Sequence, residues 1–575
     1  MPCPRAPWDL LVLFGLALWL LAVGYGLRDP WPADEPRFAL IGKAMVDSGQ
    51  WLIPRRGPEL YAEKPPVFLW LQAASYGLTG STKAGFLLPS LLAALGTLAL
   101  VWDLARRLWD RRSAFWSGLL LLFSVQFALQ GRSAQIDATL AFFTTLGLYG
   151  ILRHLLLGPN WRWYAIAGVA TGLGVITKGT GFLPWLILIP YALARWRRMD
   201  GLAPIPRRNW RWLLGPSLML LTIAAWALPI LYLAAQPGNE PIAAYRDDLF
   251  LRQTLDRYAN PWHHHKPFWY FIVQVVPLLW LPLSLLALIA ARPWWRRLRA
   301  GDGRLLLLLL WVLLVLLFFS ASPGKREVYI LPALPAFALA FGPLLTSMLG
   351  QPPAQRTLFI LTGLLASVIS VGSIWALYGE PQFASRIAEQ HGVRPWGWFL
   401  LVGLIGLSAT AIFRNRAHYA YATLMIALWS GYGLFGYPGM NDARSGKALM
   451  ARVDAALPAG AVLALASAPE QMLLQAPPST RAFGFKMPIE QQLQAAFDWL
   501  RESPEHWLLT HSRRLGNCIS PDRSVDVGWS NRRHWYLLTA EALEPGCTLA
   551  TPGLARDQHH QAGAQQPVAE GRITR

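Results

Sequence analysis

The chain has 575 residues, of which 54% are hydrophobic and only 15% charged, with 29 tryptophans and a formal net charge of +20. So few polar side chains cannot coat a water-soluble body of this size, and many windows long enough to cross a bilayer core, about 20 residues each, carry almost no charge. The basic excess reads as the Lys and Arg that membrane proteins keep in cytoplasmic loops. It does not read as a nucleic-acid surface, because no nucleic-acid-binding module surrounds any basic segment.

Residues 8–27 form the first apolar run, behind a short N-terminus that carries Arg5. The stretch from Ala22 to Gly26 matches a signal cleavage site poorly, so the run reads as an uncleaved span with a cytoplasmic N-terminus. Residues 28–80 differ in kind: they are rich in Pro and mix acids, bases and aromatics. Within them, 36–48 and 66–78 have helical periodicity but are too short or too polar to span. They are predicted to be juxtamembrane helices lying in the outer interface. Further spans are predicted near 84–105, 113–130, 136–157, 163–178, 181–195, 212–235, 268–291, 305–321, 328–347, 357–377, 396–413 and 419–437, which with the first makes 13.

Loop charge tests that count. Arg106, Arg107, Arg111 and Arg112, then Arg195, Arg197 and Arg198, then Arg292, Arg296 and Arg297, and later Arg414 and Arg416 all fall on the side of the N-terminus. That is the arrangement the positive-inside rule expects. An odd number of spans then puts the loop at 236–266 and everything after Tyr437 outside. The predicted fold class is an α-helical polytopic membrane protein over 1–437, followed by a soluble periplasmic α/β domain over 438–555. In that domain, helical patterns (447–457, 489–501) alternate with short strand-like runs (461–466, 506–510, 535–539). Residues 556–575 are polar and are predicted to be disordered. Cys518 and Cys547 fall in the outer domain, where a disulfide is permitted.

Polar residues that persist beside a bilayer mark function by default, and four clusters do so on the outer side. The first is Asp34-Glu35-Pro36-Arg37, where Asp34 either caps a helix or serves as a reacting carboxylate. The second is Tyr61-Ala62-Glu63-Lys64-Pro65-Pro66, where the stiff Pro pair fixes a Lys suited to a phosphate at the membrane surface. The third is Arg132 with Asp137, the last acid before hydrocarbon. The fourth is Lys325-Arg326-Glu327-Val328-Tyr329, two cations that oppose the positive-inside bias, as a lipid phosphate would require. The run His263-His264-His265 also lies outside. It could supply one or two zinc ligands, because adjacent histidines cannot all face one metal. No phosphate-binding loop or dinucleotide fingerprint appears, which disfavours nucleotide-driven chemistry.

Taken together these motifs, with Ser48-Gly49-Gln50-Trp51-Leu52-Ile53-Pro54-Arg55 and Pro267-Phe268-Trp269-Tyr270, resemble those of the bacterial lipid A aminoarabinose transferases. That group sits within the wider family that includes the protein O-mannosyltransferases. The resemblance spans about residues 8–345. It implies a GT-C glycosyltransferase using a sugar donor carried on undecaprenyl phosphate, with lipid A as acceptor and membrane lipids around it. It implies Asp34 as the main catalytic carboxylate and Asp137 as the second acid. Arg37 and Lys64 would hold the donor phosphate, with Lys325, Arg326 and Tyr329 in the same site and Glu35 and Tyr61 lining the cavity. No cofactor is required for the transfer. A structural zinc would use Glu63 with His264 or His265. The alternatives are an O-glycosyltransferase acting on protein or another envelope glycan and, from another class, a lipid-linked-sugar transporter. The transporter should repeat its polar residues at mid-membrane depth, whereas here they gather at one face.

Overall fold

The computed structural model describes residues 8–206, 209–251, 265–511 and 518–544. The chain divides into two compact units, 1–445 and 446–575.

The first unit is a body of apolar helices. Among the described residues, five helices are long and apolar enough to cross a membrane: Thr82–Leu108, Ile136–Leu157, Trp210–Ala234, Gly303–Ala321 and Pro352–Tyr378. Three further candidates are bent pairs, Arg111–Leu122 with Val125–Gly131, Phe271–Leu279 with Leu283–Arg299, and Glu327–Ala340 with Gly342–Leu349. Trp8–Ala22, Leu183–Trp196 and Trp396–Ile412 are shorter apolar helices. The predicted spans 113–130, 268–291 and 328–347 are therefore each broken, by 72°, 105° and 62°. In hydrocarbon, close packing rather than water expulsion holds helices together, and small residues permit it. Gly168 and Gly172 on helix Trp161–Lys178 do this against helix Leu214–Ala234, where a Cβ on Gly172 would sit 2.9 Å from the Met219 carbonyl.

The two predicted juxtamembrane helices are Glu35–Ser48 and Val67–Thr79. Pro36 stands in the first turn of one, where its missing N–H costs nothing, and Pro66 is the N-cap of the other. Both end at a left-handed glycine, Gly49 and Gly80, the residue that reaches this conformation without a Cβ clash. Phe38, Ile41 and Met45 lie at helical spacing on the buried face and pack with Phe68, Leu69 and Ala73. Gly42 lets the helices touch, since a Cβ there would meet Gln72 Cβ at 2.9 Å. Between them, β1 (Arg55–Arg56) and β2 (Glu59–Leu60) form a small antiparallel hairpin.

The second unit is built on a five-stranded sheet. Its strands are β3 (Val462–Leu465), β4 (Arg481–Ala482), β5 (His506–His511), β6 (Val525–Ser530) and β7 (Arg533–Leu538), in the order β4-β3-β5-β7-β6. β3 runs parallel to β4 and β5, and β7 pairs antiparallel with β5 and β6. The β6–β7 turn places Asn531 and Arg532 at positive φ, as a twisted two-residue hairpin requires. Alternate strand residues feed opposite faces. Ala464, Leu508 and Leu538 pack under helix Ile489–Arg501, while Leu463, Leu509 and Leu537 pack under helix Lys447–Ala456. Cys518 is disulfide-bonded. Cys547 and the predicted disordered tail lie outside the described residues.

Candidate functional site

Asp34 immediately precedes helix Glu35–Ser48 but makes no side-chain capping bond. Its partly buried carboxylate turns instead to two guanidinium groups, Arg37 at 3.7 Å and Arg326 at 3.6 Å. Asp34 thus holds the N-cap position without its side chain serving as the cap.

Its neighbour Glu35 explains why Asp34 is held there. Glu35 is buried and forms a two-pronged ion pair with Arg28. Its oxygens also accept the Trp31 N–H at 2.9 Å and the Ala134 N–H at 3.0 Å. Arg28 lies against the rings of Trp31, Phe86 and Tyr437, each within 5 Å. Burial by itself would lower the Arg28 pKa, but Glu35 and then Tyr437 outweigh it and the net shift is upward, so the guanidinium stays charged. Glu35 is thus a strut inside the protein, which corrects the expectation that it lines the cavity. Glu35→Gln should lower the melting temperature in detergent, because a buried cation left without its anion costs about 3 kcal/mol or more. Replacing both Arg28 and Glu35 by Met should restore much of it.

Asp137 sits in the first turn of helix Ile136–Leu157, and the chain then returns through helix Trp161–Lys178. Gly158 and the N-cap Asn160 make the turn. An antiparallel hairpin of two helices of similar length returns to its starting end, so Lys178 closes on Asp137 at 2.5 Å although 41 residues separate them. Lys178 Nζ also lies 4.7 Å from the centre of the Tyr329 ring, which packs on Phe319. Arg326 is placed between the two acids. Its burial acts to lower the pKa, but Asp34, Asp137, Glu327 and Tyr329 together outweigh burial and the net shift is upward.

Arg37 joins this group to the Tyr61–Pro66 motif, since its Nη1 is also 3.5 Å from Glu63. The other Glu63 oxygen faces Arg56 at 3.3 Å, and Arg56 also meets Glu59. Lys64, part-buried, donates to the Glu63 carbonyl oxygen at 3.0 Å. Among the described residues, Arg37, Arg56, Lys64, Lys178 and Arg326 are gathered with Asp34, Glu59, Glu63, Asp137 and Glu327, a set of cations whose guanidinium and ammonium groups suit an anionic ligand.

Other predicted site residues fall elsewhere. Tyr61 is 1% exposed and packs with Phe38, Phe68 and Ile136, so it belongs to the helix-packing core rather than to a cavity wall. Burial and then Glu63 push its phenol pKa up. Lys325 is 3% exposed, and its ammonium donates to the carbonyls of Ser322 and Lys266. It ties its loop to the segment at His265 and Lys266, with Arg326 and Tyr329 facing the charged group. Arg132 is likewise internal, bonded to the Leu20 and Val23 carbonyls and to Tyr437. The expected zinc set does not assemble among the described residues. Glu63 is claimed by two arginines, His265 forms an isolated backbone bridge to Gly324, and no three metal-binding side chains converge. His264 lies outside the described residues. Sequence reasoning missed Arg56, Glu59 and, closest to the two acids, Lys178. The signal of Lys178 was a lone cation between two apolar runs, which reads as a span boundary.

The comparisons with known proteins follow this geometry. Residues 63–228 match the sequence profile of the family described as dolichyl-phosphate-mannose-protein mannosyltransferase. A Pseudomonas aeruginosa undecaprenyl phosphate-alpha-4-amino-4-deoxy-L-arabinose arabinosyl transferase is 30% identical over 446 residues, 74% of this chain and 74% of its own. A protein of the same name from Shewanella sediminis is 26% identical over 72% of this chain and 74% of its own. The fold is that of ArnT from Cupriavidus metallidurans, crystallised with undecaprenyl phosphate, at a TM-score of 0.73 and 20% identity over 94% of this chain and 100% of that one. The resemblance carried by the motifs is borne out, and the chain belongs to the family of undecaprenyl phosphate-alpha-4-amino-4-deoxy-L-arabinose arabinosyl transferases.

Proposed function

We propose that the protein transfers an aminoarabinose-type sugar from undecaprenyl phosphate to lipid A at the outer face of a bacterial inner membrane. The observation that carries this reading is the gathering of Asp34, Arg37, Asp137, Lys178 and Arg326 from distant segments into one charged group. Membership of a glycosyltransferase family sets the transporter reading aside.

The chemistry follows from the charges. The bond from the anomeric carbon to the donor phosphate breaks, and the phosphate leaves as an anion. Arg37, Lys64 and Arg326 would stabilise that anion as its charge develops, with Tyr329 and Lys178 alongside. An acceptor oxygen forms the new bond from the opposite side, so one displacement inverts the anomeric centre. A phosphate acceptor is already nucleophilic and needs little base. Asp34 would then position the donor or stabilise the cationic sugar, with Asp137 held in place by Lys178.

Lys64→Ala should weaken donor binding strongly, while Lys64→Arg keeps the charge but changes the geometry and should retain part of it. The measurement is single-turnover transfer from undecaprenyl-phosphate-linked aminoarabinose to lipid A at fixed lipid composition. Wild-type donor affinity in Lys64→Ala would move the phosphate site to Arg326. Transfer to a protein, with none to lipid A, would replace the acceptor.

The accompanying topology has 13 spans, a cytoplasmic N-terminus and a periplasmic domain over 438–555. A reporter fused after Asn441 should be active only in its periplasmic form, and cytoplasmic activity there would overturn the parity.

A further inference from the structure

A cavity lies away from the charged group, near the helix ends that join the basic loops. It encloses about 530 Å³, within the range of roughly 300–1,000 Å³ typical of ligand pockets. Leu16, Leu119, Leu286, Leu349 and Ile426, from five separate helices, supply apolar walls. Its polar groups cluster where helix Ala417–Gly431 begins: Arg416, His418 and Tyr419. His418 is fixed by the Gln355 side chain at 3.1 Å and stands edge-on to Trp116, with ring centres 5.7 Å apart. Arg416 is exposed. Among the described residues, no acidic side chain pairs with it, with Arg414 two residues before it, or with Arg356 beside Gln355.

We propose that this crevice binds an anionic glycerophospholipid, with its headgroup phosphate against Arg416 and an acyl chain between the apolar walls. Charge complementarity selects the occupant. Where helices cross a bilayer, an apolar opening between them meets lipid rather than water. Basic pockets between helices on the side of the basic loops attract anionic headgroups. The guanidinium fork matches two phosphate oxygens, whereas a zwitterionic headgroup would bring its own cation towards Arg416. Aromatic side chains at the mouth, Trp116 and Tyr419, suit the boundary between headgroups and hydrocarbon. The proposal rests on the membrane reading of the chain and not on the transfer reaction, so either can fail without the other.

The test uses the full-length protein in nanodiscs of equal phosphatidylglycerol and phosphatidylcholine with a trace of undecaprenyl phosphate. Retained lipid is read by native mass spectrometry, and its position by cross-linking of photoactivatable phosphatidylglycerol. Wild type should retain phosphatidylglycerol in preference, with cross-links to helices Arg111–Leu122 and Ala417–Gly431. Arg416→Gln should reduce that preference about fivefold, the factor that one basic residue contributes at an anionic surface. Ala422→Trp, which puts an indole ring into the cavity where the acyl chain would lie, should reduce the retained lipid sharply while donor-dependent transfer persists. Equal retention of the two phospholipids by wild type, unchanged preference in Arg416→Gln, or undecaprenyl phosphate cross-linked in the crevice would each overturn the proposal. If Ala422→Trp does not fold, the exposed Arg416→Gln decides the matter alone.

Discussion

Asp34→Asn is expected to lower transfer about a hundredfold or more, the scale on which one preorganised electrostatic group acts in catalysis, while the protein still folds. The two halves of that expectation have separate grounds. Folding should survive because Asp34 makes no capping bond to helix Glu35–Ser48, and its contacts to Arg37 and Arg326 are 3.7 and 3.6 Å, partly in contact with solvent. Turnover should not survive, because the amide carries no charge to set against a developing sugar cation. Single-turnover rates and melting temperatures of the same preparation separate the two. Near-normal turnover would reduce Asp34 to a holder of Arg326.

Lys178→Met is expected to damage both stability and turnover. It leaves the Asp137 carboxylate, 10% exposed, without its ammonium partner. Breaking a buried pair in this way costs about 3–5 kcal/mol. The position of Asp137 in the first turn of a helix, which favours an anion, places the expected loss near the lower end. Adding Asp137→Asn should recover most of the melting temperature, since no orphaned charge remains, yet should not recover turnover. Tryptophan fluorescence during heating in detergent reads the first quantity, and donor-dependent transfer reads the second. A Lys178→Met protein that melted and turned over like wild type would remove the pair from the site.

Much of the local structure was legible because its causes are local. Helices Glu35–Ser48 and Val67–Thr79 were marked by apolar spacing between a proline start and a glycine stop. Helix Ile489–Arg501 was marked by its amphipathic face. Strand Val525–Ser530 was not foreseen: a bulge between Asp526 and Gly528 shifts its register and spoils the alternation that would reveal it. The charged residues divide in a similar way. Asp34, Asp137 and Arg326 were singled out as charges beside hydrocarbon, and the fold brings them together. By the same signal Glu35, Arg132 and Lys325 were equally conspicuous, but each is satisfied inside the protein: Glu35 by Arg28, Arg132 by carbonyls at the end of the first helix, and Lys325 by one carbonyl of its own loop and one of the distant Lys266. The cost of a charge near lipid states that a partner exists without naming it. Lys178 shows the converse, because its partner lies a full helical hairpin away.

The Glu35 strut fixes more than its own neighbours. By holding the amides of Trp31 and Ala134 together, it ties the segment that carries Asp34 to the one that leads into Asp137. Neither carboxylate can shift far without the other. Their mutual geometry is completed as the chain folds, so an arriving lipid-linked sugar has no ordering entropy to supply on their behalf. Its affinity then reports how well its charges match a field already in place, rather than the work of assembling that field.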